Sequence, residues 1–177
     1  SLAFPFTVYE VVALGLDGAG SPVAGRAAQA RIVAALEQAD VAHLAERQFP
    51  TLSGGEQQRV HLARVLCQLA AGRIHEPRQA LFLDEPVGGL NTAETDQIIA
   101  LMQRLASGGL TIVLIEHVMR FLLALSNRVM IMHHGSLLFE GRPDQVAEDD
   151  RVVEVYLGQG TKTRLRAHFA ATMEGAA

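Results

Sequence analysis

Leu52-Ser53-Gly54-Gly55-Glu56-Gln57-Gln58-Arg59-Val60 is the stretch whose reading decides the fold. A Ser-Gly-Gly turn runs directly into a helix with an apolar face. The Ser53 hydroxyl can cap that helix, and Glu56, three residues on, can reach back to the cap's own N–H, giving a reciprocal capping box. Gly54 and Gly55 carry no side chain to keep a ligand off the backbone. The free N–H groups of the first turn and the positive end of the helix dipole therefore remain open to an anion such as a phosphate.

Downstream of this turn, Val60, Ala63, Leu66, Cys67 and Ala70 mark one helical face that ends near Gly72. Ala80-Leu81-Phe82-Leu83 then reads as a buried strand without polar alternation, ending on Asp84-Glu85-Pro86. Asn91 is placed to cap a helix through to about Ser107 with Glu94 at its third position, and Leu110 to Ile115 reads as a second buried strand closed by Glu116-His117. A short helix (Val118 to Ser126), a strand (Arg128 to His133), a Gly135 turn and a further strand (Leu137 to Glu140) follow. Pro143 to Ala147 and Asp150 to Leu157 read as short helices. Apolar strands separated by helices predict an α/β fold with a parallel sheet and functional residues at the carboxyl ends of its strands.

Upstream, everything reads as helical. Thr7 and Glu10 form a second capping-box pattern ahead of a short helix that Gly15 and the loop Asp17-Gly18-Ala19-Gly20-Ser21-Pro22 are expected to stop, Ala28 to Ala39 has helical spacing, and Val41 to Phe49 is predicted as a short helix ended by Pro50. The organisation expected is a helical subdomain over 1–72, a part of an α/β core over 73–158 and a weakly ordered tail over 159–177. Ser1 to Phe6 is an apolar start without an initiator Met and reads as a cut inside a domain.

The 177 residues carry a formal charge of −4 with 49% apolar residues, which suits one sizeable core and argues against a general nucleic-acid binder, since no basic stripe is present. Cys67 is the single cysteine, so no disulfide framework exists, and its place in an apolar helical pattern predicts a buried thiol. The apolar runs are interrupted by Glu116, His117 and Arg120 and are too short to span a bilayer. No signal-peptide pattern is seen. His133-His134 are expected to point to opposite faces at a strand end, which disfavours one shared ion. His43, His61, His75 and His168 are scattered, with no spacing of a metal site.

The nonapeptide at 52–60 resembles the signature motif of the ATP-binding cassette (ABC) ATPases. Asp84-Glu85 after four apolar residues resembles that family's Walker B motif, Gly88-Gly89-Leu90-Asn91 its D-loop, with Asn91 where many members have Asp, and His117 its switch histidine. The resemblance implies a helical subdomain followed by the C-terminal part of a P-loop (RecA-like) parallel-sheet core. It implies ATP and Mg²⁺ as cofactors, with Ser53, Gly54, Gly55, Glu56 and Asn91 serving the nucleotide site, Asp84 holding Mg²⁺ through water, Glu85 as catalytic base and His117 sensing the phosphate. It implies a homodimer in which the signature turn of one subunit closes over nucleotide on the other, membrane permease subunits contacted near Phe4 to Leu14, no direct small-molecule cargo site, and a peripheral place on the cytoplasmic face of the cell membrane.

Phosphoryl transfer in P-loop enzymes uses a G-x-x-x-x-G-K-[ST] loop, and the sequence contains none. Gly158-Gln159-Gly160-Thr161-Lys162-Thr163 is too short by two residues. The chain therefore corresponds to the second part of a full cassette, and alone it is expected to be inactive. Ser1 to Pro86 resembles ATPase subunits of hemin importers, and the chain from Gly88 resembles those of branched-chain amino acid importers. The leading expectation is thus an ATPase part energising an importer, with hemin or branched-chain amino acids as cargo. The alternatives are a non-enzymatic module that binds a partner cassette and a soluble, non-transport ABC ATPase.

Overall fold

The computed structural model describes residues 6–17, 24–72, 80–146 and 148–157. It divides into two compact units, Ser1–Ile115 and Glu116–Ala177, and each is described by itself. The expected tail at 159–177, the loop at 73–79 and the glycine-containing run at 158–163 lie outside the described residues.

Helix α1 (Val8–Ala13) begins on the expected capping box, with the Thr7 N–H donating to Glu10 Oε2 at 2.7 Å and Thr7 Oγ1 accepting from the Glu10 N–H at 3.2 Å. The α-helix ends at Ala13, ahead of Gly15 and the Asp17 turn that were expected to stop it. The helix continues into a 3-10 turn, Leu14–Leu16, and a Cβ on Gly15 would lie 2.3 Å from the Arg64 carbonyl oxygen. The glycine lets two helices approach closely, which a sequence pattern cannot distinguish from a breaker.

Helix α2 (Arg26–Gln38) closes with Asp40 in the left-handed region at φ 56°, the Val41 N–H donating to Leu36 O at 3.0 Å and the Asp40 N–H to Glu37 O at 3.1 Å. This is a Schellman ending built on aspartate rather than glycine. The helix expected over Val41 to Phe49 is not formed. Two 3-10 turns stand there, Ala42–Leu44 and Phe49–Thr51, with Pro50 inside the second instead of ending a helix. The cause is competition for backbone groups: Val8 N–H donates to Arg47 O, Tyr9 N–H to Ala45 O and Phe49 N–H to Phe6 O, each at 2.9 Å. Those groups are then unavailable to an α-helical ladder.

Helix α3 (Gly54–Gly72) receives both α1 and α2. It buries Val60, Leu62, Ala63, Leu66, Cys67 and Ala71, and burial pushes the Cys67 thiol above its ordinary pKa. Strand β1 (Ala80–Asp84), helix α4 (Thr92–Ser107) and strand β2 (Thr111–Ile115) form a β-α-β unit whose strands are parallel and run in register from Ala80↔Thr111 to Asp84↔Ile115. The strands were expected to be buried on both faces. Only the face of Leu81, Leu83, Ile112 and Leu114 is covered or partly covered, whereas Phe82 is 74% exposed and Ile115 67%, with Val113 also exposed. Paired residues share a face, so Phe82, Asp84, Val113 and Ile115 form one open side.

In the second unit, helix α5 (Met119–Leu125), strands β3 (Val129–His133) and β4 (Ser136–Gly141), and helices α6 (Pro143–Val146) and α7 (Asp150–Leu157) surround a core of Leu123, Val129, Ile131, Phe139, Val146 and Val152. Here β3 and β4 are antiparallel. Their connection is a two-residue turn with His134 at φ 47° and Gly135 at φ 76°, the pattern of a type I′ hairpin. That turn also overturns the expectation that the two histidines diverge. The left-handed backbone of His134 brings its ring to 4.1 Å from that of His133, centroid to centroid.

Candidate functional site

The signature turn is built as its residues predict. The Ser53 N–H donates to Glu56 Oε2 at 2.8 Å, and Ser53 Oγ accepts from the Glu56 N–H at 3.3 Å. Glu56 thus orients Ser53. Ser53 and Gly54 are exposed while Gly55 is buried. A Cβ on Gly55 would lie 2.8 Å from Glu94 Cγ, and one on Gly54 would be 3.4 Å from Leu90 Cδ2. The turn therefore lies against the start of α4, and both glycines face residues from the Gly88–Asn91 loop or just after it.

Asp84 and Glu85 stand at the carboxyl end of β1, both exposed. Asp84 is opposite Ile115 on β2, and the Glu85 N–H donates to Ile115 O at 2.9 Å. Glu85 has φ 45°, a left-handed conformation that a glutamate adopts at a cost, and such outliers cluster at functional sites. The chain turns away at once: the Gly88 N–H donates to Glu85 O and the Leu90 N–H to Val87 O, each at 3.1 Å, with Gly89 at φ 77°. Asn91 then caps α4, its Oδ1 accepting from the Glu94 N–H at 3.0 Å and its N–H donating to Glu94 Oε2 at 3.1 Å.

His117 belongs to the second unit, two residues beyond the end of β2. Its side chain is 67% exposed, whereas that of Glu116 is fully buried. Glu116 Oε2 accepts from the His117 N–H at 2.8 Å and the Val118 N–H at 3.0 Å, and the His117 Nδ1 lies 3.6 Å from the same oxygen. Glu116 thereby fixes the backbone that presents the imidazole. The structure brings Ser53, Gly54, Gly55 and Glu56 together with Asn91 through Glu94, with Asp84 as the last residue of β1 and Glu85 just beyond it at the start of that loop.

Two residues were missed from the sequence. Glu94 was legible as the capping partner of Asn91, but its second bond, from the Gly55 N–H to Oε1 at 3.1 Å, joins positions 39 apart. Glu116 read only as the end of a strand; its bonds to the His117 and Val118 N–H groups tie down the two residues that precede α5. For the divalent ion, the described residues hold no group of three or more His, Cys, Asp or Glu side chains. One exposed carboxylate with retained waters is nevertheless a donor set that suits Mg²⁺, so Asp84 fits a water-mediated role.

The structure thus ties the start of α3 to α4, the helix that follows the strand-end carboxylate pair. The model of the ABC transporter family matches residues 4–88, and that of the branched-chain amino acid ATP-binding cassette transporter matches residues 136–161. Together they take in more than half of the chain, and the chain belongs to the ABC ATPases.

Among curated relatives, the hemin import ATP-binding protein HmuV of Rhodopseudomonas palustris is 37% identical over 88% of this chain and 56% of its own length. HmuV of Mesorhizobium japonicum is 41% identical over 88% of this chain and 59% of its length. The chain thus spans less than two thirds of these relatives. The ADP conformation of MJ1267, an ATP-binding cassette of an ABC transporter, is similar in structure with a TM-score of 0.73 at 24% identity, over 88% of this chain and 64% of that one. CbiO1 from Clostridium perfringens, part of the ABC transporter complex cbiONQ, gives 0.72 at 24% identity over 92% and 62%. The branched-chain model falls within the part of the chain read as resembling those importers, while the HmuV matches run over 88% of the chain rather than its first half alone. Among the described residues, no helix is long and apolar enough to cross a membrane.

Proposed function

We propose that the chain is the signature- and carboxylate-bearing part of an ATP-hydrolysing subunit that energises an importer, works in a pair and rests on permease subunits at the cytoplasmic face of the membrane. The observation that carries this is the Ser53–Gly55 turn held by α4, the helix that begins directly after the Asp84-Glu85 loop. ATP, with Mg²⁺, supplies the phosphoryl group and the charge shielding its transfer requires.

In this reading Ser53 Oγ and the backbone of Gly54 and Gly55 contact the terminal phosphate of nucleotide held by the other subunit, and Glu56 keeps Ser53 in place. Asp84 holds the ion through water. Glu85 orients the attacking water and takes its proton, which a carboxylate does well when backbone geometry fixes its direction. His117 hydrogen-bonds the terminal phosphate. Asn91 ends the D-loop as a neutral cap. The organisation proposed is a helical subdomain over 1–72 and a part of the core over 73–158, with the face near Phe4 to Leu14 toward the permease. Hemin is the leading cargo because the curated relatives named above are hemin import proteins, with branched-chain amino acids as the second candidate. Cargo would be chosen by the permease, with no cargo site on this chain.

The test mixes this chain with an intact cassette whose own signature Ser has been mutated. Restored ATP hydrolysis that disappears with Glu85→Gln is the expected outcome. Binding without turnover would replace this reading with that of a non-enzymatic module. The chain by itself should hydrolyse no more ATP than its Glu85→Gln variant, because its sequence holds no phosphate loop.

A further inference from the structure

Glu94 uses its two carboxylate oxygens on different elements. Oε2 accepts from the Asn91 N–H at 3.1 Å and completes the cap of α4, while Oε1 accepts from the Gly55 N–H at 3.1 Å, in the signature turn. The side chain lies so close over Gly55 that a Cβ there would meet Glu94 Cγ at 2.8 Å and Glu94 Cβ at 2.9 Å. The Ser53 hydroxyl and the Arg59 guanidinium also favour its charged form.

Gly55 N–H is a group that the proposed mechanism offers to a nucleotide phosphate. One amide hydrogen cannot serve a carboxylate and a phosphate oxygen fully at once, and two anions gathered on one amide repel each other. We infer that Glu94 is an internal competitor for the signature turn: its Oε1 holds the Gly55 amide, and a phosphate that binds there has to displace it while Oε2 keeps the cap on Asn91. Displacement would release the turn from the start of α4 and so transmit occupancy of the signature to the D-loop, whose Leu90 side chain stands 3.4 Å from a Cβ on Gly54. Glu94 is thus a positioning residue, acting through Gly55 and Asn91. The inference rests on the reading of this turn as a phosphate-facing half-site.

The experiment titrates inorganic phosphate into the ¹⁵N-labelled 177-residue chain and follows the Gly55 amide resonance in the wild type, Glu94→Gln and Glu94→Asp. Gln loses the charge and keeps a single acceptor oxygen, enough for only one of the two bonds, so Gly55 should respond at roughly fivefold lower phosphate than in the wild type. Asp keeps the charge but withdraws it by one methylene, and should fall between. Equal half-saturation in wild type and Glu94→Gln, tighter binding by the wild type, or no phosphate response of Gly55 in any of the three overturns the inference. Circular dichroism checks folding, and Glu94→Asp carries the comparison if Glu94→Gln does not fold. No partner cassette enters this titration, so its failure is separable from a failure of hydrolysis in the mixing experiment.

Discussion

Glu116 and His117 are neighbours with opposite duties. The fully buried carboxylate of Glu116 satisfies two backbone N–H groups, so Glu116→Ala should lower stability by about 1–2 kcal/mol, the cost of leaving those donors unpaired. His117→Ala removes a largely exposed ring and should stay within about 0.5 kcal/mol of the wild type, while abolishing turnover in the mixed-cassette assay. Urea denaturation of the two variants checks the contrast, and equal losses would refute the division of labour. Gly15 makes a comparable point through space rather than charge. A methyl group there would run into the Arg64 carbonyl at 2.3 Å, so Gly15→Ala should cost about 1–3 kcal/mol, read as a lower denaturation midpoint.

Helix α4 is where local sequence and tertiary structure meet. Its carboxylate Glu94 titrates below the ordinary value of 4.5, chiefly because the Asn91 N–H and then the Gly55 N–H favour the charged form. A carboxyl lowered in the folded state contributes stability in full above that ordinary value, and the contribution is lost as pH falls through the lower folded value. Stability should therefore drop on acidification below about pH 4.5, and less steeply in Glu94→Gln. Identical slopes in urea midpoints across that range would contradict this origin. The cap itself was legible, because Asn91 and Glu94 lie three apart. So were the boxes at Thr7 and Ser53, and the strand-helix-strand order. What was not legible depended on partners distant in sequence: the Gly55–Glu94 bond, the backbone competition that replaces a helix at 41–49 with 3-10 turns, and the close approach that explains Gly15. The antiparallel hairpin was half visible in its Gly135 turn. The convergence of the His133 and His134 rings was not, since it follows from a left-handed histidine.

For the chain as a whole, the open side of the parallel pair matters most. Phe82, Val113 and Ile115 present apolar surface to water beside Asp84, and apolar patches of this kind promote association. The 177-residue chain should sediment with a concentration-dependent mass, and Phe82→Lys should reduce that dependence with little change in unfolding midpoint. A mass independent of concentration in the wild type would show that this face does not drive association.

The same parallel pair makes the molecule convenient to label. Because β1 and β2 run in one direction, Asp84 and Ile115 share one edge of the sheet and Ala80 and Thr111 the other, roughly 13 Å away at about 3.3 Å per residue. Ser107 ends α4 just before Thr111 and is exposed. Cys67, the single native cysteine, is buried, and its raised thiol pKa leaves little thiolate to react with a maleimide. A Ser107→Cys variant would thus take one fluorophore at a chosen position, on the edge remote from the carboxylates, giving an optical handle for following cassette pairing without touching the chemistry.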